Sequence, residues 1–267
     1  MKTTHLLKAN NIVAGYDKKI IIDGINITIP SNKISVIIGA NACGKSTLLK
    51  TLSRLIQPVS GEIVLDEKNL TDIPPKQLAR VLGLLPQSPV APEGITVADL
   101  VGRGRFPYQS FFKGLGKKDY EAVEEALEIM GITNLANQSV DQLSGGQRQR
   151  VWIAMALAQQ TDILLLDEPT TFLDISYQVE ILDLLTDLNR NRGTTIVMVL
   201  HDINLSARYA DHLFALHKGK LIAEGPPSDI VTETLIKQVF DLDCKVICDP
   251  VSNSPFIVPK GRHHVNC

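Results

Sequence analysis

The segment Gly39-Ala-Asn-Ala-Cys-Gly-Lys-Ser46 carries more information about the fold than any other stretch of this sequence. Its spacing matches Gly-x-x-x-x-Gly-Lys-Ser/Thr, in which backbone N–H groups and a helix N-terminus form a cradle for phosphate oxygens. The lysine of this pattern reaches the β- and γ-phosphates, and the hydroxyl that follows it binds Mg²⁺. The residues predicted to contact a nucleotide here are Gly39, Asn41, Cys43, Gly44, Lys45, Ser46 and Thr47.

The flanking patterns place this segment between a strand and a helix. Residues 34–38 are nearly all apolar, which is typical of a strand covered on both faces. Residues 45–56 carry leucines at helical spacing, with Leu48, Leu52 and Leu55 on one face. This context favours a phosphate site over the alternative, an ordinary glycine-rich turn without a ligand.

The remaining apolar patterns predict an α/β fold. Residues 25–29 alternate strictly, as in an antiparallel strand with one wet face. Further strands are expected at 62–65, 163–166 and 194–200, a hairpin at 214–223, and helices at 119–130, 147–158 and 176–189. We expect a P-loop NTPase core with a mainly parallel sheet, an antiparallel β subdomain, and a helical subdomain that carries a Leu-Ser-Gly-Gly-Gln segment.

One domain of 267 residues is large enough to bury a substantial core. The expected boundaries are 1–88 and 160–250 for the core with its antiparallel subdomain, 89–159 for the helical subdomain, and 251–267 for a loop-rich tail. The sequence has 27 Lys+Arg against 29 Asp+Glu, and this balance argues against a nucleic-acid partner. No apolar run approaches the roughly 20 residues that span a bilayer, and the N-terminus lacks the apolar stretch of a secretory signal.

Two carboxylates follow the apolar run 163–166. Asp167 and Glu168 stand at the carboxyl end of a predicted buried strand, where they would lie beside the phosphate loop of a neighbouring strand. In that position Asp167 would hold Mg²⁺, and Glu168 would orient or deprotonate an attacking water. The alternative, an Asp-Glu-Pro that merely ends a strand, is disfavoured by the complete phosphate loop upstream.

The segment Leu143-Ser-Gly-Gly-Gln147 is the discriminating element. Ser144 can cap the following helix, while Gly145 and Gly146 permit a backbone to approach a phosphate closely. Gln147 completes the motif. Standing alone, the segment would be an ordinary helix N-cap; it lies about 20 residues before Asp167, and that order resembles the ATP-binding cassette (ABC) family of P-loop ATPases.

Four further positions match the motifs of that family over nearly the whole chain. Gln87 in Leu-Leu-Pro-Gln matches the Q-loop, and Asp174 in Thr-Phe-Leu-Asp matches the D-loop. His201 after Met-Val-Leu matches the switch histidine, and Tyr16 matches the aromatic residue that stacks on adenine.

The resemblance implies a homodimer in the ATP-bound state. Each ATP would lie between the phosphate loop of one subunit and the Ser144-Gly145-Gly146 turn of the other, with the positive end of the signature helix directed at the γ-phosphate. Asp174 would communicate across the dimer. The implied partners are two integral membrane permease subunits and, indirectly, a substrate-binding protein, which places the chain peripherally at the cytoplasmic face of the bacterial cell membrane.

The resemblance also implies ATP and Mg²⁺ as the ligands and a division of labour around them. Ser46, Gln87 and Asp167 are the implied Mg²⁺ ligands. Glu168 would act on the attacking water, His201 would contact the γ-phosphate, and Gln87 would sense both Mg²⁺ and the water.

The segment 102–108, Gly-Arg-Gly-Arg-Phe-Pro-Tyr, and the segment 199–212 resemble the ATPases of bacterial iron-chelate (siderophore) importers. Haem and cobalamin importer ATPases are closely similar and stay open as alternatives. A soluble ABC protein without a transport role is a further alternative, although the chain lacks the long coiled coil expected of some of them. A P-loop kinase is disfavoured by the signature segment.

Other features carry separate expectations. Ala40 and Ala42 replace the proline and glycine that the family usually has, and a Cβ at position 42 is penalised if the backbone there needs a positive φ. Cys43 either packs as a small residue or has a pKa lowered by the helix N-terminus. Four aromatic residues, Phe106, Tyr108, Phe111 and Phe112, either pack under the helical subdomain or line a docking groove for the permease. The pair His263-His264 with Cys267 suggests a solvated tail rather than a metal site.

Overall fold

The structure is a computed structural model that describes residues 4–17, 19–110, 114–171 and 173–261 of the chain. Its strands are β1 (Leu7–Tyr16), β2 (Lys19–Ile29), β3 (Ile34–Gly39), β4 (Ser60–Leu65), β5 (Lys68–Asn69), β6 (Leu82–Leu85), β7 (Ile163–Asp167), β8 (Thr195–Val199), β9 (His212–His217), β10 (Lys220–Gly225), β11 (Cys244–Cys248) and β12 (Pro255–Pro259). Its α-helices are α1 (Lys45–Leu52), α2 (Pro75–Val81), α3 (Val97–Gly102), α4 (Lys117–Ile129), α5 (Gly145–Ala158), α6 (Ile175–Arg192), α7 (Ile203–Tyr209), α8 (Pro227–Ile230) and α9 (Glu233–Phe240). Short 3₁₀ helices lie at Leu70–Asp72, Arg103–Tyr108, Thr133–Leu135 and Val140–Gln142.

The central sheet has the order β10-β9-β3-β8-β7-β6. All neighbouring pairs are parallel except β9 and β10, which form the predicted hairpin. Because β3, β7 and β8 are neighbours, their carboxyl ends meet at one edge of the sheet. The phosphate loop leaves β3 there, and Asp167 ends β7 at the same edge.

The central sheet separates two apolar cores, and alternate residues of each strand face different cores. Val36 and Ile38 belong to the core that also contains α5 and α6, whereas Ile37 packs with α1 and the antiparallel sheet. That second sheet has the order β2-β1-β4-β5 and its pairs are antiparallel, as the alternation at 25–29 predicts. The chain therefore has the α/β fold expected from the sequence.

Two predictions of local structure are wrong. The helix predicted at 45–56 ends at Leu52, because Arg54 adopts a φ of 62° and turns the chain. The guanidinium of Arg54 then donates to the carbonyls of Leu70 and Ile73, and Leu55 is left 66% exposed.

The predicted loop-rich tail contains strand β12, which pairs with β11. The side chain of Asn204 on α7 bonds both backbone groups of Ile257 and so fixes this strand against the core. Within the described ranges, no helix is both long and apolar enough to cross a membrane.

Candidate functional site

The side chain of Lys45 bonds to the backbone of its own phosphate loop. The Lys45 ammonium donates to the carbonyl oxygens of Gly39 at 2.8 Å and Ala40 at 3.1 Å, and the side chain is 5% exposed. Gly44 has a φ of 106°, and a Cβ there would lie 2.7 Å from Ile22 Cγ2. A side chain at position 44 would therefore be strained in its backbone and also short of space.

Next to the loop, a serine hydroxyl and a buried carboxylate lie within hydrogen-bonding distance. Ser46 Oγ donates to Asp167 Oδ1 at 2.9 Å. The other oxygen of Asp167, Oδ2, is buried without a hydrogen-bond partner in the described chain. Burial raises the pKa of this carboxyl; the Ser46 hydroxyl opposes that shift and the charge of Glu168 adds to it. An unpartnered carboxylate oxygen beside a hydroxyl is a donor set that suits a hard cation such as Mg²⁺.

Glu168 has three side-chain partners at this edge, whereas Asp167 has one. Its Oε2 accepts hydrogen bonds from Gln87 Nε2 at 2.6 Å and from Thr171 Oγ1 at 3.0 Å. Its Oε1 lies 2.6 Å from His201 Nε2. The backbone has a φ of 56°, a conformation that is uncommon for a residue with a side chain and is often found at functional sites.

These side chains surround one depression of about 480 Å³ at the carboxyl edge of the sheet. Tyr16 lies at its rim and is 46% exposed, as a platform for a flat ring would be. The lining consists of Tyr16, Ile21, Asn41, Ala42, Gly44, Lys45, Ser46, Thr47, Gln87, Glu168 and His201. Most of the sequence-predicted site residues are thus brought together in one place.

The signature segment lies apart from that depression. Ser144 Oγ accepts from Gln147 N–H at 3.3 Å, and Gln147 Oε1 accepts from Ser144 N–H at 3.0 Å, so the two residues cap α5 reciprocally. Around Gly145, a Cβ would meet no atom of the described chain within 4 Å. None of residues 144–147, all of them described, lines the depression beside Lys45.

Asp174 is likewise outside the depression. It is exposed, and its Oδ1 accepts from Tyr177 N–H at 3.4 Å and Ser176 Oγ at 3.0 Å, which caps α6. Phe172, in the same predicted D-loop, lies outside the described residues.

Cys43 packs as a small residue, and the alternative of a lowered pKa is wrong. The side chain is 5% exposed, and burial raises the pKa of its thiol more than the nearby charge of Lys45 lowers it. Its neighbour Ala42 has a φ of 61°, which is the condition under which a Cβ is penalised.

The two described residues of the aromatic cluster differ in their exposure. Phe106 is 64% exposed, whereas Tyr108 is half-buried, with the guanidinium of Arg105 3.9 Å from its ring centroid and that of Arg80 at 5.3 Å. Phe111 and Phe112 lie outside the described residues, as do His263, His264 and Cys267.

Sequence reasoning missed two residues near Glu168. Thr171 holds Glu168 directly, and Gln149 on α5 donates to the Pro169 carbonyl at 2.8 Å, which ties the signature helix to the loop after Glu168. The three-residue spacing from Glu168 to Thr171 is a signal that could have indicated the first. Nothing in the sequence indicates the second.

Comparison with known proteins finds a matching family and several relatives. A family described as "ABC transporter" matches residues 22–171. The ferric enterobactin transport ATP-binding protein of Escherichia coli (strain K12) is 51% identical over 256 residues, which are 96% of this chain and 94% of that protein. A probable siderophore transport system ATP-binding protein of Bacillus subtilis (strain 168) is 50% identical over 96% of this chain and 93% of its own length.

Solved structures agree with this fold. The dimeric structure of a bacterial ABC transporter cassette superposes with a TM-score of 0.73 at 31% identity, covering 82% of this chain and 98% of that one. The same cassette has been solved as a dimer in a post-hydrolysis state with ADP and Pi, with the same TM-score and coverage.

Proposed function

Because this chain belongs to the ABC transporter family of ATP-binding cassettes, we propose that it hydrolyses ATP to power import of a ferric siderophore through a membrane transporter. One observation carries the catalytic part of this proposal. The buried Glu168 is held by Gln87, Thr171 and His201 at the edge where Lys45 closes the phosphate loop. The cargo follows from the relatives, since the proteins that are about half identical over almost the full chain are named for ferric enterobactin and siderophore transport.

The phosphate loop binds the nucleotide in this proposal. An ammonium group has three donors, and two of the Lys45 donors hold loop carbonyls in this structure, so the third is free to reach a phosphate oxygen. Tyr16 stacks on the adenine from its exposed position at the rim. Gly39, Asn41, Gly44 and Thr47 contribute backbone around the phosphates.

Glu168 acts on the attacking water. A carboxylate has about four acceptor positions, and Gln87, Thr171 and His201 occupy three of them. The fourth position accepts a hydrogen of the water, which orients its oxygen for attack. His201, 46% exposed at its side chain, can turn from Glu168 toward the γ-phosphate when ATP is present.

Ser46 and Asp167 are the residues that would hold Mg²⁺, with Gln87 as the third candidate ligand. When bound, the ion would neutralise charge on the phosphate oxygens. The unpartnered Asp167 Oδ2 supports this assignment, because a buried carboxylate oxygen without a partner is costly.

The signature turn serves a second copy of the chain. Gly145 and Gly146 occupy the first turn of α5, where neither has a positive φ, and a Cβ at Gly145 would meet no atom of the described residues within 4 Å. The described chain therefore gives no internal reason for glycine at position 145, whereas close approach to another subunit's ATP gives one. Asp174 and residues 144–147 then complete the site in a head-to-tail homodimer.

The cassette works as a peripheral subunit at the cytoplasmic face of the bacterial membrane, on two permease subunits that receive cargo from a substrate-binding protein. We assign residues 89–159 as the helical part that contacts the permease, and residues 1–88 and 160–250 as the catalytic core. Phe106 is the best contact residue, because it is exposed while Tyr108 packs against two arginines.

The cargo is tested by growth of a deletion strain on single iron sources. Restoring the wild-type gene should rescue growth on a ferric siderophore, and the Glu168→Gln gene should not. Rescue confined to haem, or a defect only in cobalamin uptake, would support the alternative importers. Failure of the tagged chain to co-purify with a polytopic membrane protein would support a soluble role.

The contact residue is tested by Phe106→Ala and Tyr108→Ala. Phe106→Ala should keep the thermal midpoint and basal ATPase activity of the isolated subunit and lose assembly with the permease. Tyr108→Ala should lower the midpoint, because the ring is packed. Assembly retained in Phe106→Ala would overturn the contact assignment.

A further inference from the structure

The 3₁₀-helical turn Arg103–Tyr108 packs closely against the signature helix α5. A Cβ at Gly104 would lie 2.2 Å from the backbone carbonyl oxygen of Met155. Because the obstacle is backbone, neither side can yield by changing a rotamer. The turn and the C-terminal half of α5 therefore form one rigid contact.

A buried charge strengthens that contact. Arg105 is 4% exposed and ion-pairs with Asp119 at the start of α4, with Nε 2.9 Å from Oδ1. It also donates to the Ala158 carbonyl at 2.7 Å and to Gln160 Oε1 at 3.0 Å. A buried guanidinium that loses a partner leaves an uncompensated charge, so the turn is held to the end of α5 and the start of α4.

On its other side the same turn is held by helix α2. Arg80 donates from Nε to the Pro107 carbonyl at 3.1 Å, and its guanidinium lies 5.3 Å from the Tyr108 ring centroid. One helical turn earlier, Lys76 donates to the Gln109 carbonyl at 2.9 Å. Helix α2 continues directly into β6, which ends two residues before Gln87.

We infer that Arg80 and Arg105 are positioning residues that make the turn Arg103–Tyr108 a relay between the Gln87 side and the signature side of the ATP site. Arg105 transmits a displacement of the turn into α5 and hence to Ser144. Arg80 transmits the same displacement into α2, β6 and hence to Gln87. The Tyr108 ring lies within reach of both guanidinium groups, so it couples the Arg105 contact with α5 to the Arg80 contact with α2.

The relay rests on the proposed function, since its outer end is the exposed Phe106 that we assign to the permease contact. Arg80 is the better residue to test, because it is exposed and its removal leaves no buried charge unpaired. Arg105 substitutions combine any effect on the relay with loss of a buried ion pair. Lys118 on α4 is exposed as well and provides a control with the same change in charge.

The first measurement needs no permease. Hydrogen–deuterium exchange of the isolated subunit should become about fivefold faster at residues 103–109 in Arg80→Ala, because the turn loses a hydrogen bond and a cation–ring contact that oppose local opening. Lys118→Ala should leave exchange there unchanged. Unchanged exchange in Arg80→Ala would overturn the claim that Arg80 holds the turn, whatever the transported cargo is.

The second measurement uses the whole transporter in proteoliposomes, after the wild-type complex has been shown to hydrolyse ATP during import. Arg80→Ala should keep the basal ATPase rate of the isolated subunit within about twofold and raise the ATP consumed per chelate imported about fivefold or more. Arg80→Lys should restore only part of the coupling, because an ammonium cannot stack as a guanidinium does. Wild-type stoichiometry in Arg80→Ala, or an equal change in Lys118→Ala, would refute the relay.

Discussion

The phosphate-loop edge and the signature turn of this chain differ in how far their hydrogen bonds are satisfied internally. At the edge, Lys45, Ser46 and Glu168 are each bonded to groups of the same chain. Within the described residues, the side chains of Ser144 and Gln147 in the signature turn accept hydrogen bonds only within their own capping box, and a Cβ at Gly145 would meet no atom within 4 Å. The side chains of the phosphate-loop edge therefore bond within one chain, whereas the signature turn remains an exposed surface.

Glycine has a different role in each region. Gly145 and Gly146 open α5, and neither has the positive φ that would favour glycine over a residue with a Cβ. At the edge, by contrast, Gly44 satisfies a backbone conformation that an L-residue avoids.

The variant with the largest expected effect tests whether the phosphate-loop edge contains the general base for ATP hydrolysis. Glu168→Gln should keep ATP binding and lower turnover by about 10²–10⁴-fold, the usual contribution of a general base. Glu121→Gln, an exposed change on α4, is the matched control. Steady-state ATPase assays check both, and near-normal hydrolysis in Glu168→Gln would mean that the internally bonded edge is not the catalytic half.

A smaller effect concerns how closed the phosphate loop is. Because burial raises the pKa of the Cys43 thiol, its thiolate fraction near pH 7.5 is below that of an ordinary cysteine and rises with pH. The rate at which iodoacetamide modifies Cys43 should therefore be at least about tenfold lower than the rate at the exposed Cys248. Peptide mass spectrometry over time measures both rates, with Cys43→Ser as the control. Equal rates would show that the loop opens readily without ATP.

The smallest effect concerns strain within the edge. Ala42 has a φ of 61°, so Ala42→Gly should relieve strain of about 1 kcal/mol and tighten ATP binding a few-fold. Titration of ATP by isothermal calorimetry provides the affinity. Identical affinities would show that the surrounding loop tolerates the Cβ of Ala42 without cost.

The sequence predicts the nucleotide edge well because its motifs act through the backbone. A glycine-rich turn between a buried strand and a helix has few conformations, and the carboxyl ends of parallel strands bring Asp167 to Ser46. The same logic predicts the strands around it, since the periodicities at 25–29 and 34–38 differ in how many faces are buried.

The contacts around residues 103–109 could not be predicted in the same way. They join Arg80, Arg105 and Asp119 across three elements, and no period or motif specifies such a pairing. The prediction of a loop-rich tail failed for a related reason, because β12 is held by the side chain of Asn204 more than 50 residues earlier. Long-range side-chain bonds of this kind require the folded structure.

In the proposed homodimer, one chain supplies half of an ATP site and a second copy completes it through the signature turn. Gly145→Leu tests it most directly, because a Cβ at position 145 would meet no described atom within 4 Å, whereas a large side chain there should block a partner. Light scattering of Glu168→Gln with ATP should give a dimer, and Glu168→Gln combined with Gly145→Leu should stay monomeric while binding ATP with similar affinity. An ATP-bound dimer that persists in the double variant would contradict the account.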